Sequence, residues 1–428
     1  MKITTQLLAL SLSFAVFMLA KTQGQQNLPV IQASKPMVSI RDGKLLAKDV
    51  WKLSPTTAPD IYYTQVPRAA RKITFITNKD SISFTTTYGK TYDFIILLNG
   101  RDRMLTRISA NYEQLLNPTV QSKPAIQSSD TIPFFMKNSR LYFKGSLNGY
   151  KNLTIMFDLG AGITCLSEQS RAKAAVKFDG HISVQNTDGT NNEPSASINS
   201  LEIGGLHWDK VPLVQIRNLA EGEDMIIGNS LFRDKIIEVD YEKKIMILSD
   251  QINKDLQGYQ VHDVDYFQHR PRFEVNIKVG EQDYPFHFLF DTGRDGSMLI
   301  GDDFTNRYGL WNKYHSLFSF GGKKIIVIPE LKIGDQVFKN IVTNANNPDY
   351  PNAKQSLLGN KILNQFNFIL DNRNGKIYLK ANKYQNDNYS AYNKFKLVRM
   401  LIVILIIGLL LFIGYRIRKS YLRKQSSL

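Results

Sequence analysis

Apolar positions along the chain fall into two kinds of pattern. Two runs are long and predominantly apolar: Leu7 to Ala20, behind Lys2 and followed by Lys21-Thr22-Gln23-Gly24, and Met400 to Tyr415 (MLIVILIIGLLLFIGY). Elsewhere the stretches are short and alternating or rich in β-branched residues, as in Lys72 to Thr77, Ser81 to Thr87 and Tyr92 to Leu98. Polar turns break them at Asn78-Lys79-Asp80 and Tyr88-Gly89-Lys90. Period-two alternation on this scale predicts strands joined by tight turns. The chain is therefore expected to be mostly β, with residues 25–116 forming a small antiparallel β domain.

The two long runs predict a topology. The first is too short for a comfortable span, and small residues at 22 and 24 suit cleavage, so residues 1–24 read as an export signal. The second extends back through Leu397 and Val398 and is near the length of a bilayer core, which predicts a transmembrane helix over 397–415 after a juxtamembrane stretch, 381–396. Lys394, Lys396 and Arg399 precede it, and Arg416, Arg418, Lys419, Arg423 and Lys424 follow in a basic tail, 416–428. The excess of positive charge after the span predicts a cytoplasmic C-terminus, with the bulk of the chain exported to the periplasmic or extracellular side.

This topology changes the meaning of the composition. The formal charge of +16 looks like a nucleic-acid signal, yet the two ends contribute +2 and +8, leaving +6 for the exported region. No arginine-rich arm accompanies that mild excess, so no nucleic-acid partner is expected. Cys165 is the single cysteine, which excludes an internal disulfide and a multi-cysteine zinc site. Its apolar neighbours predict a small buried side chain. The six histidines show no pair at helical ligand spacing, and no metal or organic cofactor is expected.

After a Pro-, Ser- and Gln-rich linker at 117–133, residues 134–380 contain an internal repeat. Asp158-Leu159-Gly160-Ala161 recurs as Asp291-Thr292-Gly293-Arg294, and Leu201-Glu202-Ile203-Gly204 as Leu331-Lys332-Ile333-Gly334. Ile226-Ile227-Gly228-Asn229 recurs as Leu357-Leu358-Gly359-Asn360, and Ile236 to Asp240 as Phe368 to Asp371. The offsets stay between 130 and 133 residues, so two lobes, 134–250 and 251–380, arose by duplication. In each, two strands joined by a turn deliver an aspartate to the end of the second strand. Asp240 and Asp371 also recur, but beside turn-forming residues, and are read as turn formers.

An apolar strand ending in Asp-Thr-Gly, followed some 70 residues later by two apolar residues and Gly, resembles the pepsin and retropepsin aspartic protease superfamily. Phe290-Asp291-Thr292-Gly293 matches that motif outright, and Phe157-Asp158-Leu159-Gly160 with one departure. The resemblance covers about 250 of the 428 residues. It implies bilobal β-barrel lobes and a membrane-anchored, exported aspartic endopeptidase acting on a peptide or protein substrate. Asp158 and Asp291 would share the water that attacks the peptide bond, with Gly160, Thr292 and Gly293 holding the geometry. Two carboxylates in contact cannot both ionise cheaply, so the pair is expected to share one proton. Because both lobes lie in one chain, a dimer is not required. The resemblance also implies a flap, placed at Gln185 to Thr190 with Asp188-Gly189 at its turn. A second hairpin is expected around Gly321-Gly322.

Two residues depart from the family pattern. Leu159 has no hydroxyl for the reciprocal hydrogen bond that the Thr or Ser after each catalytic Asp provides. Arg294 stands where the family has a small residue, and a cation turned toward Asp291 would favour its ionised form. These departures leave an alternative, a catalytically impaired protease-like module that binds peptide or protein. The N-terminal β domain as an adhesion or docking module is a third reading.

Overall fold

The computed structural model describes residues 28–55, 59–64, 70–110, 129–186, 189–217, 219–233, 235–347, 355–385 and 387–425. The expected export signal lies outside these residues. The chain divides into two compact units, Met1–Tyr112 and Glu113–Leu428.

The first unit contains β1 (Val30–Ala33), β2 (Met37–Asp42), β3 (Leu45–Lys52) and β4 (Asp60–Tyr63), then β5 (Arg71–Ile76), β6 (Ser81–Thr86), β7 (Thr91–Leu98) and β8 (Asp102–Ser109). They form two four-stranded sheets, ordered β1-β7-β8-β4 and β3-β2-β5-β6. Alternate residues of both sheets, among them Val38, Ile40, Ile73, Phe75, Phe94 and Ile108, meet in one core. Phe75 and Phe94 pack edge to face at 5.0 Å between ring centroids, a favoured aromatic geometry. The expected antiparallel pattern holds for β5–β6 and β7–β8, but β1 pairs with β7 and β4 with β8 in parallel. Asp42 is buried and ion-paired to Arg71, and it also accepts from Thr64 Oγ1 at 2.8 Å and Tyr62 Oη at 2.9 Å. Buried charge is tolerated where it is paired and hydrogen-bonded in this way.

The first lobe of the second unit begins with β9 (Ser129–Pro133), β10 (Phe135–Lys137), β11 (Arg140–Leu147), β12 (Tyr150–Phe157) and β13 (Cys165–Ser167). Helix α1 (Glu168–Lys173) follows, capped by the Ser167 hydroxyl, which accepts from the Ser170 N–H. Then come β14 (Gly180–Asn186), β15 (Gly189–Ala196), β16 (Leu201–Ile203), β17 (Leu206–Trp208), β18 (Leu213–Ile216), β19 (Met225–Ile227), β20 (Ile236–Asp240) and β21 (Ile245–Ser249).

The second lobe comprises β22 (Gln260–Phe267), β23 (Arg270–Val279), β24 (Gln282–Asp291), β25 (Met298–Leu299), α2 (Asp302–Tyr308), β26 (His315–Phe320) and β27 (Lys323–Ile333). It continues with β28 (Gln336–Asn346), β29 (Leu357–Gly359), α3 (Asn360–Leu363), β30 (Phe366–Asp371) and β31 (Lys376–Ala381).

The duplication is visible in the pairing. Around the first aspartate the strand order is β13-β19-β12-β11-β16, and around the second it is β25-β29-β24-β23-β27. In each lobe the strand carrying the aspartate pairs in parallel with the later apolar-apolar-Gly strand, Phe157 opposite Ile227 and Phe290 opposite Leu358. Phe157 and Phe290 are fully buried. Each such side chain contributes about 1.5–3 kcal/mol by burial, which fixes the strand end that presents the aspartate.

The lobes are joined by a continuous sheet, β22-β31-β30-β20-β21-β9, in which β20 and β30 pair antiparallel about the centre. This arrangement revises the linker expected at 117–133, since its last five residues form β9, paired with β21. Residues 117–128 lie outside the described region. Asp240 and Asp371 close turns: the Oδ1 of Asp240 accepts from the amides of Glu242 and Lys243, and that of Asp371 from Arg373 and Asn374. Beyond β31, helix α4 (Tyr392–Gln425) starts earlier and ends later than the span expected at 397–415. Within its segment Tyr392–Ile417 the most apolar 18-residue window has mean hydropathy 3.0 and none of it is buried, so the helix is long and apolar enough to cross a membrane.

Candidate active site

The repeat places Asp158 and Asp291 at equivalent strand ends, and the glycines behind them show how near the two loops come. A Cβ built on Gly160 would stand 2.7 Å from Asp291 Cγ, and one on Gly293 would stand 2.7 Å from Asp158 Oδ1. Each glycine thus abuts the carboxylate of the opposite lobe, which no side chain at that position would permit. Two further glycines complete the frame, because a Cβ on Gly228 would collide with the Ala161 carbonyl and one on Gly359 with that of Gly296. The apolar-apolar-Gly landmarks of both lobes therefore let the loop after each aspartate pass close over them.

Hydrogen bonds distinguish the two carboxylates. Asp158 Oδ1 accepts from the Gly160 amide at 2.7 Å and from the Gly293 amide, in the opposite lobe, at 3.1 Å. Partial burial raises the Asp158 carboxyl above its usual range, while these amides, the Asp291 side chain and the Arg270 cation draw it back. Burial also pushes Asp291 well above the ordinary carboxylate range, and the Asp158 charge and the hydrogen bond with Asp158 push it further. Arg294 opposes that shift, through its charge and its backbone N–H. Both carboxyls are thus raised, and two carboxyls in contact titrate as a pair rather than independently.

The lock between the loops is one-sided, as Leu159 implies. Thr292 Oγ1 accepts from the Leu159 amide at 2.9 Å and donates to the Phe157 carbonyl at 3.0 Å. Leu159 instead lies in the apolar core with its side chain fully buried. It gives up a hydroxyl and gains packing. A second polar tie links the lobes: Asn229 Nδ2 donates to Asn372 Oδ1 at 2.9 Å and to the His269 carbonyl, and Tyr241 Oη donates to Asn360 Oδ1 at 2.8 Å. Asn229 and Asn360 each directly follow a landmark glycine, so the repeat extends one residue into the interlobe contacts.

Arg294 makes no ion pair with either aspartate among the described residues. It is half-buried, and burial lowers the pKa of its guanidinium while Asp291 raises it. A cation absent from the sequence reading lies nearby. Arg270, the first residue of β23, has its pKa lowered to about 10 by burial and by Arg272, against the pull of Asp158 and Asp291. Its Nη2 donates to Gln268 Oε1 at 2.9 Å, and a Cβ on Gly162 would lie 3.9 Å from its Cδ. The available signal was the repeat itself, which aligns Arg270 with Arg140.

Of the flap residues, Asp188 lies outside the described region. Gly189 opens β15, opposite Asn186 in the β14–β15 hairpin. The second hairpin forms between β26 and β27, with Gly321 and Gly322 at positive φ in its turn. Cys165 is buried and its thiol is pushed up to about 12, chiefly by burial, which leaves no thiolate near neutral pH.

Comparison with known proteins finds a family similarity in the first lobe and a solved structure of similar extent. Residues 143–234, the lobe that contains Leu159, match a family model described as "gag-polyprotein putative aspartyl protease". Among solved structures, an aspartic proteinase from Irpex lacteus aligns with 61% of this chain and 100% of its own at 11% identity and a TM-score of 0.43. No curated protein matches the chain. The family model thus resembles one lobe of this chain, within residues 143–234, and the other lobe repeats that lobe's landmarks.

Proposed function

We propose that the protein is an aspartic endopeptidase, anchored by α4 with its lobes on the exported side of the membrane, in which Asp158 and Asp291 activate one water between them. Asp158, ionised, takes a proton from the water as its oxygen attacks the scissile carbonyl carbon. Asp291 gives its proton to the carbonyl oxygen, producing a neutral tetrahedral diol. Return of a proton from Asp158 to the amide nitrogen, and of a diol proton to Asp291, breaks the C–N bond and restores the starting state. Proton transfer by positioned groups of this kind contributes roughly 10²–10⁴-fold to a rate. Gly160, Thr292 and Gly293 act as positioning residues.

The observation that carries the proposal is the reciprocal packing of each glycine against the opposite carboxylate, so close that a Cβ built on either one would overlap it. The family match supports it, as does the absence of an Arg294 ion pair to the dyad among the described residues. The anchored topology is supported by the apolar segment Tyr392–Ile417 and by the charge excess beyond it. To test it, the full chain in neutral detergent is incubated with a peptide mixture from acidic to neutral pH, and products are read by mass spectrometry. The wild type is expected to cleave and Asp291→Asn to be inert. Products unchanged by that substitution would sink the assignment.

A further inference from the structure

The second lobe departs from the first at a position the fold does not dictate. Where Ala161 follows the first Asp-Leu-Gly, Arg294 follows Asp-Thr-Gly. Its side chain runs between two glycines: a Cβ on Gly296 would lie 3.3 Å from Arg294 Nε, and one on Gly359 3.2 Å from its Cδ. It reaches a pocket of about 300 Å³ walled by β25, β27, β28, α3 and the first turn of α4. The Nε of Arg294 is shielded from solvent and has no hydrogen-bond partner among the described residues. A shielded N–H donor left without a partner is costly.

Lys361 and Lys394 line the same pocket, and none of the described lining residues is acidic. Three cations around one concavity focus a positive potential, and a guanidinium pairs with a phosphate through parallel N–H bonds. Lys394 and Phe395 belong to the first turn of α4, within the apolar segment that begins at Tyr392. An aromatic ring and a cation at that depth suit the headgroup layer. The volume is at the small end for a ligand site, enough for a headgroup whose acyl chains stay outside.

We propose that this pocket binds a phosphate-bearing anion supplied by the headgroup of an anionic membrane lipid. The inference rests on α4 being a membrane anchor and is independent of whether the dyad cleaves peptides. Co-flotation of the full chain with phosphatidylcholine vesicles checks the anchor separately.

The test titrates the full chain in neutral detergent with short-chain phosphatidylglycerol, short-chain phosphatidylcholine or inorganic phosphate, following the thermal midpoint of the lobes. Binding to the folded state raises that midpoint in a saturable way. Phosphatidylglycerol is expected to raise it by a few degrees while the other two leave it unchanged. Lys361→Gln combined with Lys394→Gln changes two exposed side chains, so folding is kept, and should abolish the rise; Arg294→Gln should do the same. No rise with phosphatidylglycerol, an equal rise with phosphatidylcholine, or a rise that survives in the variants would overturn the site. An equal rise with inorganic phosphate would overturn the lipid as its source.

Discussion

Thr292→Val puts the one-sided lock under the most direct strain. Valine keeps the volume and branching of threonine, so the fully buried position stays filled and no cavity term enters. What disappears is a single oxygen that accepts from Leu159 N at 2.9 Å and donates to the Phe157 carbonyl at 3.0 Å. Both partners sit at the first aspartate, shielded from water. A buried polar group left unpaired costs about 1–3 kcal/mol, so two give roughly 2–6 kcal/mol. That is a large part of the ~5–15 kcal/mol that holds a typical domain together. In a symmetric pair the other hydroxyl would retain half of the lock; here Leu159 supplies none. Urea unfolding of the transition belonging to the lobes, read beside kcat/KM for peptide cleavage, measures both consequences. Thr292→Ser, which keeps the oxygen, should recover most of the loss. A Thr292→Val protein within about 0.5 kcal/mol of wild type, the scatter expected of neutral surface changes, and as active, would refute the reasoning.

Other outcomes follow from the same geometry. Gly293→Ala places a Cβ 2.7 Å from Asp158 Oδ1, where ordinary contact begins near 3.4 Å; displacing the carboxylate by most of an ångström should lower kcat about 10²-fold, measured on a fluorogenic peptide. The proposed mechanism needs Asp158 ionised and Asp291 protonated, and both pKa values are raised. The bell-shaped kcat/KM profile should therefore lie above the ordinary carboxylate range, its alkaline limb set by Asp291. Arg270→Gln removes a cation that draws Asp158 down, so the acid limb should move to higher pH. Asp291 is raised above its unfolded pKa of about 3.9, so the stability it confers is full below that value and is lost as pH rises through the folded pKa. Asp291→Asn should accordingly melt higher than wild type near neutral pH and lose that advantage at acidic pH.

Much of the site could be read from the chain because the repeat registers the constraints that matter. A glycine facing a carboxylate, or facing a carbonyl as Gly228 and Gly359 do, has no substitute, and such positions survive duplication in order. Leu159 was legible as a missing hydroxyl, but its gain in core packing was not, since period and spacing do not say which way one loop side chain turns. Arg294 illustrates the same limit, because its path is set by the gap between Gly296 and Gly359. β9 is not legible in the pattern because Ser129 to Pro133 puts one side chain, Ile132, into the core and is otherwise held by backbone pairing to β21. The parallel pairs β1–β7 and β4–β8 are likewise long-range choices that strand periodicity leaves open.

The central claim is that Asp158 and Asp291 form one catalytic unit around a shared proton. Groups that act as a unit lose activity non-additively. The decisive measurement is kcat/KM for peptide cleavage by wild type, Asp158→Asn, Asp291→Asn and the double variant. The account predicts that each single substitution reduces cleavage to the same background and that the double adds nothing. Independent, additive losses, or a wild type no more active than the double variant, would contradict it.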